Sequence, residues 1–264
     1  MIKKLLLFIL LFSFLVFNTQ SVFAAQNAVK DEEILIILDY SASMNKKLND
    51  KTRARYVLLY LYDALATLPK NTKIGLRVFG PDNNYKNVMP QNVHTFNDCT
   101  ATYLRVPIAE NNAQAITDKL SEYTHPFGQT PVALSLKQAI ENDFSKSNSI
   151  KHIILITDGT DTCKGNPCAY MQSVSKTRKD VVVDVISIAD AEGNYGNLSC
   201  LPKLTKGRYV VVKSTDDIKK SFDITLKTDI SVKTYEPVYK NNTVQEGSTS
   251  EPIDYSNYIF EINY

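Results

Sequence analysis

The chain is short of the features that mark common hydrolases, nucleotide-binding enzymes and nucleic-acid-binding proteins. It has only three histidines in 264 residues (His94, His125 and His152), and isolated histidines are more often surface or packing residues than ligands. It contains no Gly-x-Ser-x-Gly nucleophile sequence and no glycine-rich phosphate-binding loop. Its net formal charge is +2 at pH 7, which argues against nucleic acid or an anionic membrane as the main partner. These shortages disfavour enzymes of the common classes.

Residues 1–24 have the pattern of a secretory signal peptide. Lys3 and Lys4 precede an apolar stretch of about 13 residues, and small residues precede the predicted cleavage point after Ala24. The apolar stretch is short for a membrane span, so we expect no span in the mature chain, with an uncleaved anchor as the alternative. Without Lys3 and Lys4 the mature chain is formally neutral. The pattern predicts export from a bacterial cell to the periplasm, with secretion or cell-surface display as alternatives.

All four cysteines lie in the mature chain, at Cys99, Cys163, Cys168 and Cys200. An even number of cysteines in an exported protein predicts two disulfides. A zinc site is the alternative, but Cys99 and Cys200 stand alone, without the paired spacing of a zinc knuckle. The count by itself leaves three pairings open.

Predicted strands and helices alternate along residues 31–226. Strands are predicted at 33–39, 73–79, 103–106, 151–157, 181–188 and 208–212, and helices at 51–68, 111–123, 132–144, 167–178, 196–204 and 216–226. Such alternation is typical of α/β proteins, and continuous β-branched runs such as 181–183 suit strands buried on both faces. We therefore predict a doubly wound, mostly parallel β-sheet flanked by helices.

The composition changes at about residue 227. Residues 227–264 are rich in Tyr, Asn and Thr, contain Pro237 and Pro252, and lack a helical period. The stretches 230–235 and 258–264 have strand character. The sequence therefore predicts a signal peptide (1–24), one α/β domain (25–226) and a short β-rich C-terminal extension (227–264), either a small hairpin or a docking tail.

An oxygen-rich motif, Asp39-x-Ser41-x-Ser43, directly follows the apolar run 34–38. Alternate residues of an extended segment point the same way, so the three side chains are expected to converge at the end of a buried strand. Small oxygen ligands of this kind suit a hard divalent cation. A plain turn with a helix cap is the alternative explanation of the same residues.

Two later segments supply further oxygen groups. Thr130 precedes the predicted helix 132–144, where its hydroxyl is expected to cap the helix, and Gly128 permits a tight turn before it. Asp158 follows the apolar strand 151–157, and ligands of open α/β sheets bind at the carboxyl ends of strands. Asp161, three residues later, is predicted either to hold a second-shell water or to cap its own loop.

Together these motifs resemble a von Willebrand factor type A (vWA) domain with a metal-ion-dependent adhesion site (MIDAS). The resemblance covers about residues 31–226. Within the family, the chain looks most like secreted or periplasmic bacterial members that have four cysteines. It carries their Asp-x-Ser-x-Ser-Met, Gly-x-Thr-Pro and Thr-Asp-Gly-x-x-Thr-Cys…Pro-Cys motifs, here ending at Met44, Pro131 and Cys168. One departure is Ala42, where the family often has Gly; Ala fits unless the position requires a positive φ.

The resemblance implies a vWA, Rossmann-like fold and a protein-binding function without catalysis. It implies that Mg²⁺, with Mn²⁺ or Ca²⁺ as alternatives, is held by Asp39, Ser41, Ser43, Thr130 and Asp158. It further implies that a carboxylate from a protein partner completes the coordination of the ion. A metal-dependent hydrolase and a scaffold that binds no metal are the alternative functions.

The predicted topology favours one cysteine pairing. If the strands ending at Leu38 and Phe79 point the same way, Cys99 and Cys163 both lie in loops at the metal edge of the sheet. Cys168 and Cys200 would then begin two neighbouring helices. We therefore prefer Cys99–Cys163 with Cys168–Cys200.

Overall fold

The computed structural model describes residues 31–80, 99–189 and 197–227. The predicted signal peptide and, apart from Lys227, the predicted C-terminal extension lie outside the described residues. Within the described ranges, no helix combines the length and the apolar character needed to cross a membrane.

The described residues form a six-stranded sheet from β1 (Glu32–Asp39), β4 (Lys73–Phe79), β5 (Thr102–Ala109), β6 (Ile150–Thr157), β7 (Val181–Ile188) and β8 (Tyr209–Val212). The strand order in this sheet is β5-β4-β1-β6-β7-β8. A short antiparallel hairpin, β2 (Lys47–Leu48) and β3 (Lys51–Thr52), connects β1 to the first helix. The α/β fold with a mostly parallel sheet is thus confirmed, and this hairpin is an addition that the sequence did not predict.

Helices cover both faces of the sheet. They are α1 (Arg53–Ala66), α2 (Ala113–Leu120), α3 (Val132–Gln138), α4 (Pro167–Thr177), α5 (Cys200–Thr205) and α6 (Thr215–Leu226), with a π-helical turn Ala139–Asp143 continuing α3. Ile34, Ile36 and Leu38 of β1 pack in the core shared with α1, α2 and α6. Leu35 and Ile37 pack in the other core, with α3, α4 and α5. Alternate residues of β1 therefore pack into the cores on opposite faces of the sheet.

The edge strand β5 runs antiparallel to β4, in contrast to the remaining strand pairs of the sheet among the described residues. The chain leaves β4 at Phe79, and Gly80 N–H donates a hydrogen bond to the Ala101 carbonyl (3.0 Å) directly before β5. Since β5 starts beside the carboxyl end of β4, it must run in the opposite direction. The strand predicted at 103–106 is longer in the structure, where it covers Thr102–Ala109.

The amino-terminal half of the sheet contains a buried ionic group around His152 of β6. Its Nε2 lies 3.0 Å from Asp184 Oδ2, and its Nδ1 is in ionic contact with Glu32 Oε1 at 2.6 Å. Arg208 Nε donates to the same Asp184 oxygen at 2.8 Å. Burial alone would lower the pKa of His152, but Asp184 and Glu32 outweigh it and raise that pKa above its ordinary value.

Candidate metal site

Asp39 is the last residue of β1, at the carboxyl edge of the sheet. Its buried carboxylate accepts hydrogen bonds from the Ser41 backbone N–H at Oδ1 (2.8 Å) and from the Thr157 hydroxyl at Oδ2 (2.6 Å). Burial and the nearby charge of Asp158 raise the pKa of Asp39 to about 7, against the effect of these hydrogen bonds. Ionised Asp39 is therefore poorly compensated by the protein alone, and a cation would stabilise it.

Ser43 lies in a tight turn rather than in the extended segment that strand alternation predicted, whereas Ser41, just before the turn, keeps an extended backbone. The strand ends at Asp39, whose carboxylate binds the Ser41 N–H, and Ala42–Asn45 then form a 3₁₀ helix. The predicted extended geometry is therefore wrong for Ser43. The turn nevertheless places the Ser41 and Ser43 hydroxyl oxygens 3.2 Å apart. Ala42 does not have a positive φ, so its side chain fits where the family often has Gly.

Asp158 directly follows β6, the strand next to β1. Ser43 Oγ donates to Asp158 Oδ1 at 2.6 Å, and Arg53 Nη1 donates to Asp158 Oδ2 at 2.5 Å. The side chains of Arg53 and Asp158 are only 4% and 0% exposed, so this ion pair is buried. The two aspartates and the two serines of the predicted site thus form one hydrogen-bonded cluster with an arginine at its border.

The loop before α3 packs directly on the loop after β1. Phe127 N–H donates to the Tyr40 carbonyl (3.0 Å), and Ala42 N–H donates to the Gly128 carbonyl (3.1 Å). Gly128 has a φ of +88°, and a Cβ atom at this position would lie 2.2 Å from the Gly80 carbonyl oxygen. Glycine at 128 therefore permits the close approach of the two loops.

Thr130 is buried beside this contact, but it is not the cap of α3 that the sequence predicted. The helix begins at Val132 after Pro131, and the Ala133 N–H is bound by Asp161 Oδ2 (2.8 Å). Asp161 thus takes the capping role from a different loop. The Thr130 hydroxyl is not required to cap the helix.

Hydrogen bonds tie the loop after β6 to the Thr130 loop. Thr162 N–H donates to the Thr130 carbonyl (3.1 Å), and the Thr130 N–H donates to Thr162 Oγ1 (2.9 Å). Asp161 Oδ1 accepts from the N–H groups of Cys163 (2.8 Å) and Gly165 (2.9 Å), which closes the loop on itself. The loops that carry the predicted site residues are therefore one connected unit.

Both disulfides are present, as Cys99–Cys163 and Cys168–Cys200, which is the preferred pairing. The cysteines are therefore not ligands of a zinc site. The first disulfide joins the segment before β5 to the loop after Asp158, and the second joins α4 to α5. The first thus constrains a loop of the candidate site directly.

The donor set fits a hard divalent cation. It consists of carboxylate and hydroxyl oxygens, which Mg²⁺, Mn²⁺ and Ca²⁺ prefer over soft metals. Within the described residues, no group of three or more His, Cys, Asp or Glu side chains could hold a metal. A metal ion at Asp39 and Asp158 would therefore depend on the hydroxyls of Ser41, Ser43 and Thr130 as well.

The contact of Arg53 with Asp158 was not predicted from the sequence, because the two residues are 105 positions apart and Arg53 lies in a segment predicted only as the start of a helix. Arg53 is the first residue of α1, where a basic side chain opposes the helix dipole. The exposed Arg55 in the same turn shares this feature, so the local sequence does not single out Arg53.

The fold and the motifs define the class of the protein. The family profile of the von Willebrand factor type A domain matches residues 32–211, and the chain belongs to this family. Domains of this family generally mediate protein–protein interactions. The chain is similar to uncharacterized protein YwmC of Bacillus subtilis (strain 168), with 27% identity over 209 residues, which covers 77% of this chain and 88% of that protein.

Solved structures show the same fold at low sequence identity. One is proximal thread matrix protein 1 from the mussel byssus with a zinc-occupied MIDAS motif, with a TM-score of 0.55 and 14% identity over 76% of this chain and 48% of that chain. Another is a von Willebrand factor type A structure from Catenulispora acidiphila, with a TM-score of 0.51 and 18% identity over 74% of this chain and 41% of that chain. The chain spans about half the length of the mussel protein chain and less of the Catenulispora one.

Proposed function

We propose that the protein is an exported bacterial binding module that captures a carboxylate of a protein partner through a divalent cation, Mg²⁺ in the first place. The observation that carries this proposal is the cluster at the carboxyl edge of the sheet. There Ser43 connects Ser41 to Asp158, and Asp39 shares the same buried environment. Oxygen ligands arranged around two buried carboxylates suit such an ion.

Each residue of the proposed site has a separate role. Asp39 and Asp158 supply negative charge, and their oxygens are held in place by Ser41, Thr157 and Ser43. The hydroxyls of Ser41, Ser43 and Thr130 serve as neutral ligands. Asp161 acts in the second shell, where it holds its loop against the Thr130 helix.

Neutral ligands leave part of the ion's charge uncompensated. When bound, the ion would supply a positively charged coordination position that an Asp or Glu side chain can fill. The surrounding residues determine which partner approaches, and the loops at this edge of the sheet are where such specificity is usually located.

Binding is favoured over hydrolysis, the main alternative function. Hydrolysis needs a group that accepts a proton from water close to the ion. Asp161, the additional carboxylate next to the motif, has both oxygens bound by backbone N–H groups, and His152 is buried and bound to Asp184 and Glu32, so neither is available for this role.

The Arg53–Asp158 ion pair compensates Asp158 without a metal, as a scaffold would require. Asp39 is bound by a backbone N–H and a hydroxyl and by no basic side chain among the described residues, and this favours a cation over a metal-free scaffold.

Two observations support export. The disulfides Cys99–Cys163 and Cys168–Cys200 are typical of proteins in an oxidising compartment. The N-terminal sequence also has the signal-peptide pattern described above. We place the protein in the periplasm, or alternatively in the secreted or surface-bound fraction.

Calorimetric titration of the oxidised mature chain (residues 25–264) with Mg²⁺ and with Mn²⁺ tests the proposal. We expect saturable binding at one site, to be followed up to millimolar metal, and its loss in Asp39→Ala. Asp143→Asn is the matched control, because Asp143 is a buried carboxylate paired with Arg77 (2.7 Å) outside the site. Binding that survives Asp39→Ala would refute the assignment of the site to Asp39, and no binding even in the wild type would refute the metal-dependent function and favour the scaffold.

A further inference from the structure

Arg53 places a permanent positive charge against one of the two carboxylates of the proposed site. Its guanidinium binds Asp158 Oδ2 at 2.5 Å, while Asp158 Oδ1 is bound by Ser43 (2.6 Å). Both partners are almost completely buried. Guanidinium groups remain charged at any pH that a folded protein tolerates, so the charge of Arg53 is fixed.

The location of Arg53 is unfavourable for the helix that carries it. It is the first residue of α1, where the helix dipole already presents a partial positive charge. Its Nε is also buried without a hydrogen-bond partner among the described residues, which costs further free energy. Two local costs at one side chain indicate that its charge serves the neighbouring site rather than the stability of the helix.

We infer that Arg53 is a positioning residue that weakens the affinity of the site for the metal ion and thereby strengthens the attraction of the bound ion for the carboxylate of the partner. This inference rests on the proposed metal-dependent function. With Arg53, the ionised site of Asp39 and Asp158 keeps one net negative charge. A divalent cation then makes the occupied site net positive, whereas without Arg53 the occupied site would be neutral.

Removal of the Arg53 charge is expected to change the affinities for the metal ion and for the partner carboxylate in opposite directions. Removing the positive charge of Arg53 increases metal affinity, because the two carboxylates are no longer partly compensated. The same change decreases the affinity of the metal-loaded site for a carboxylate. At an effective dielectric constant of about 20, which suits even buried protein sites, one charge at such short range changes affinity by about tenfold or more.

The test compares Arg53→Met with Arg53→Lys in the full mature chain. Mn²⁺ affinity is measured by calorimetry, and acetate is titrated against the Mn²⁺-loaded protein while water proton relaxation reports the displacement of metal-bound water. We expect Arg53→Met to bind Mn²⁺ about tenfold more tightly and acetate about tenfold more weakly. Arg53→Lys keeps the charge and is expected to bind both ligands as the wild type does.

Arg77→Met is the matched control for the loss of a buried arginine. Arg77 of β4 forms a paired contact with Asp143 at 2.7 and 2.8 Å, away from the proposed site. Its removal is expected to lower stability without changing either affinity. Circular dichroism checks the folding of every variant, and Arg53→Gln, a smaller neutral side chain, replaces Arg53→Met if the latter does not fold.

The outcomes separate the inference about Arg53 from the proposed metal-dependent function. Wild-type binding with unchanged or weaker Mn²⁺ affinity in both folded neutral variants would overturn the inference and leave the proposed function intact. Tighter Mn²⁺ binding with unchanged acetate affinity would overturn the part that concerns the partner carboxylate. Absence of metal binding in both the wild type and the neutral variants would overturn both claims. Binding in the neutral variants alone would uphold the weakening effect of Arg53 and refute the function of the wild type.

Discussion

The Ser43 hydroxyl donates a hydrogen bond of 2.6 Å to Asp158 Oδ1, although the two residues are 115 positions apart in the chain. This contact joins the loop after β1 to the loop after β6. It exists because β1 and β6 are parallel neighbours, so their carboxyl ends lie side by side. The site is therefore assembled by the sheet, and each loop contributes only part of it.

Ser43→Ala is expected to weaken metal binding by about 10–100-fold, the range typical for the loss of a supporting partner at a metal site. The substitution removes both a proposed ligand and the hydrogen bond that orients Asp158. Calorimetry with Mn²⁺ measures the effect. Ser221→Ala, which removes another hydroxyl, bound to the Ile218 carbonyl on α6 (2.6 Å), is expected to leave metal affinity unchanged. Equal affinities in the wild type and Ser43→Ala would remove Ser43 from the site.

Gly128→Ala is expected to destabilise the fold by about 1–3 kcal/mol, because the new methyl group would collide with the Gly80 carbonyl at a positive φ. It should weaken metal binding as well, since the Thr130 loop must move. Gly159→Ala is the control, because a methyl group at that position would meet no atom within 4 Å beyond its neighbours in the chain. Urea unfolding measures the stability of both variants. A destabilisation by Gly159→Ala as large as that by Gly128→Ala would contradict the argument.

The two disulfides are expected to differ in their effect on the site. Replacing either pair by serine should lower the free energy of unfolding by about 2–4 kcal/mol, since the closed segments span 64 and 32 positions. Only the Cys99→Ser/Cys163→Ser variant should also weaken metal binding, because Cys163 lies in the loop after Asp158. Mn²⁺ titration of both double variants distinguishes them. Equal losses of affinity would show that the effect is a general one of stability.

The stability contributed by His152 is expected to decrease as the pH rises. Its folded-state pKa is raised, so the folded protein holds this proton more tightly than the unfolded chain does. The contribution is fully present below the unfolded pKa of about 6.5 and is lost as the pH passes the folded pKa. Urea unfolding of the wild type and His152→Asn should therefore differ most near pH 6 and least at alkaline pH. A difference that grows with pH would contradict the assignment.

The sequence predicted the core of the fold well, because apolar runs and helix signals are local. The strands at Lys73–Phe79 and Val181–Ile188 have the predicted bounds, and Asp39 and Asp158 were expected at the sheet edge where they lie. The direction of β5 was not predicted, since it depends on where the chain returns after Gly80. A local pattern does not contain that information.

The environment of the site was only partly predictable for the same reason. Asp161 was recognised as either a second-shell or a capping residue, but its bond to Ala133 depends on the packing of two loops. Arg53 reaches Asp158 only because the hairpin β2–β3 returns the chain to the site, with Arg53 N–H bound to the Lys46 carbonyl (2.9 Å). A two-residue strand has too weak a pattern to be recognised from sequence.

The central claim is that a divalent cation binds among Asp39, Ser41, Ser43, Thr130 and Asp158. Paramagnetic broadening of backbone amide signals by substoichiometric Mn²⁺ tests it most directly, because broadening falls off steeply with distance from the ion. If the ion binds there, the signals of Ser41, Ser43 and Gly159 are lost, that of Lys151 at the amino end of β6 is retained, and the lost signals return on addition of Mg²⁺. Broadening centred on other residues, or broadening that Mg²⁺ does not reverse, would contradict a divalent-cation site at these residues.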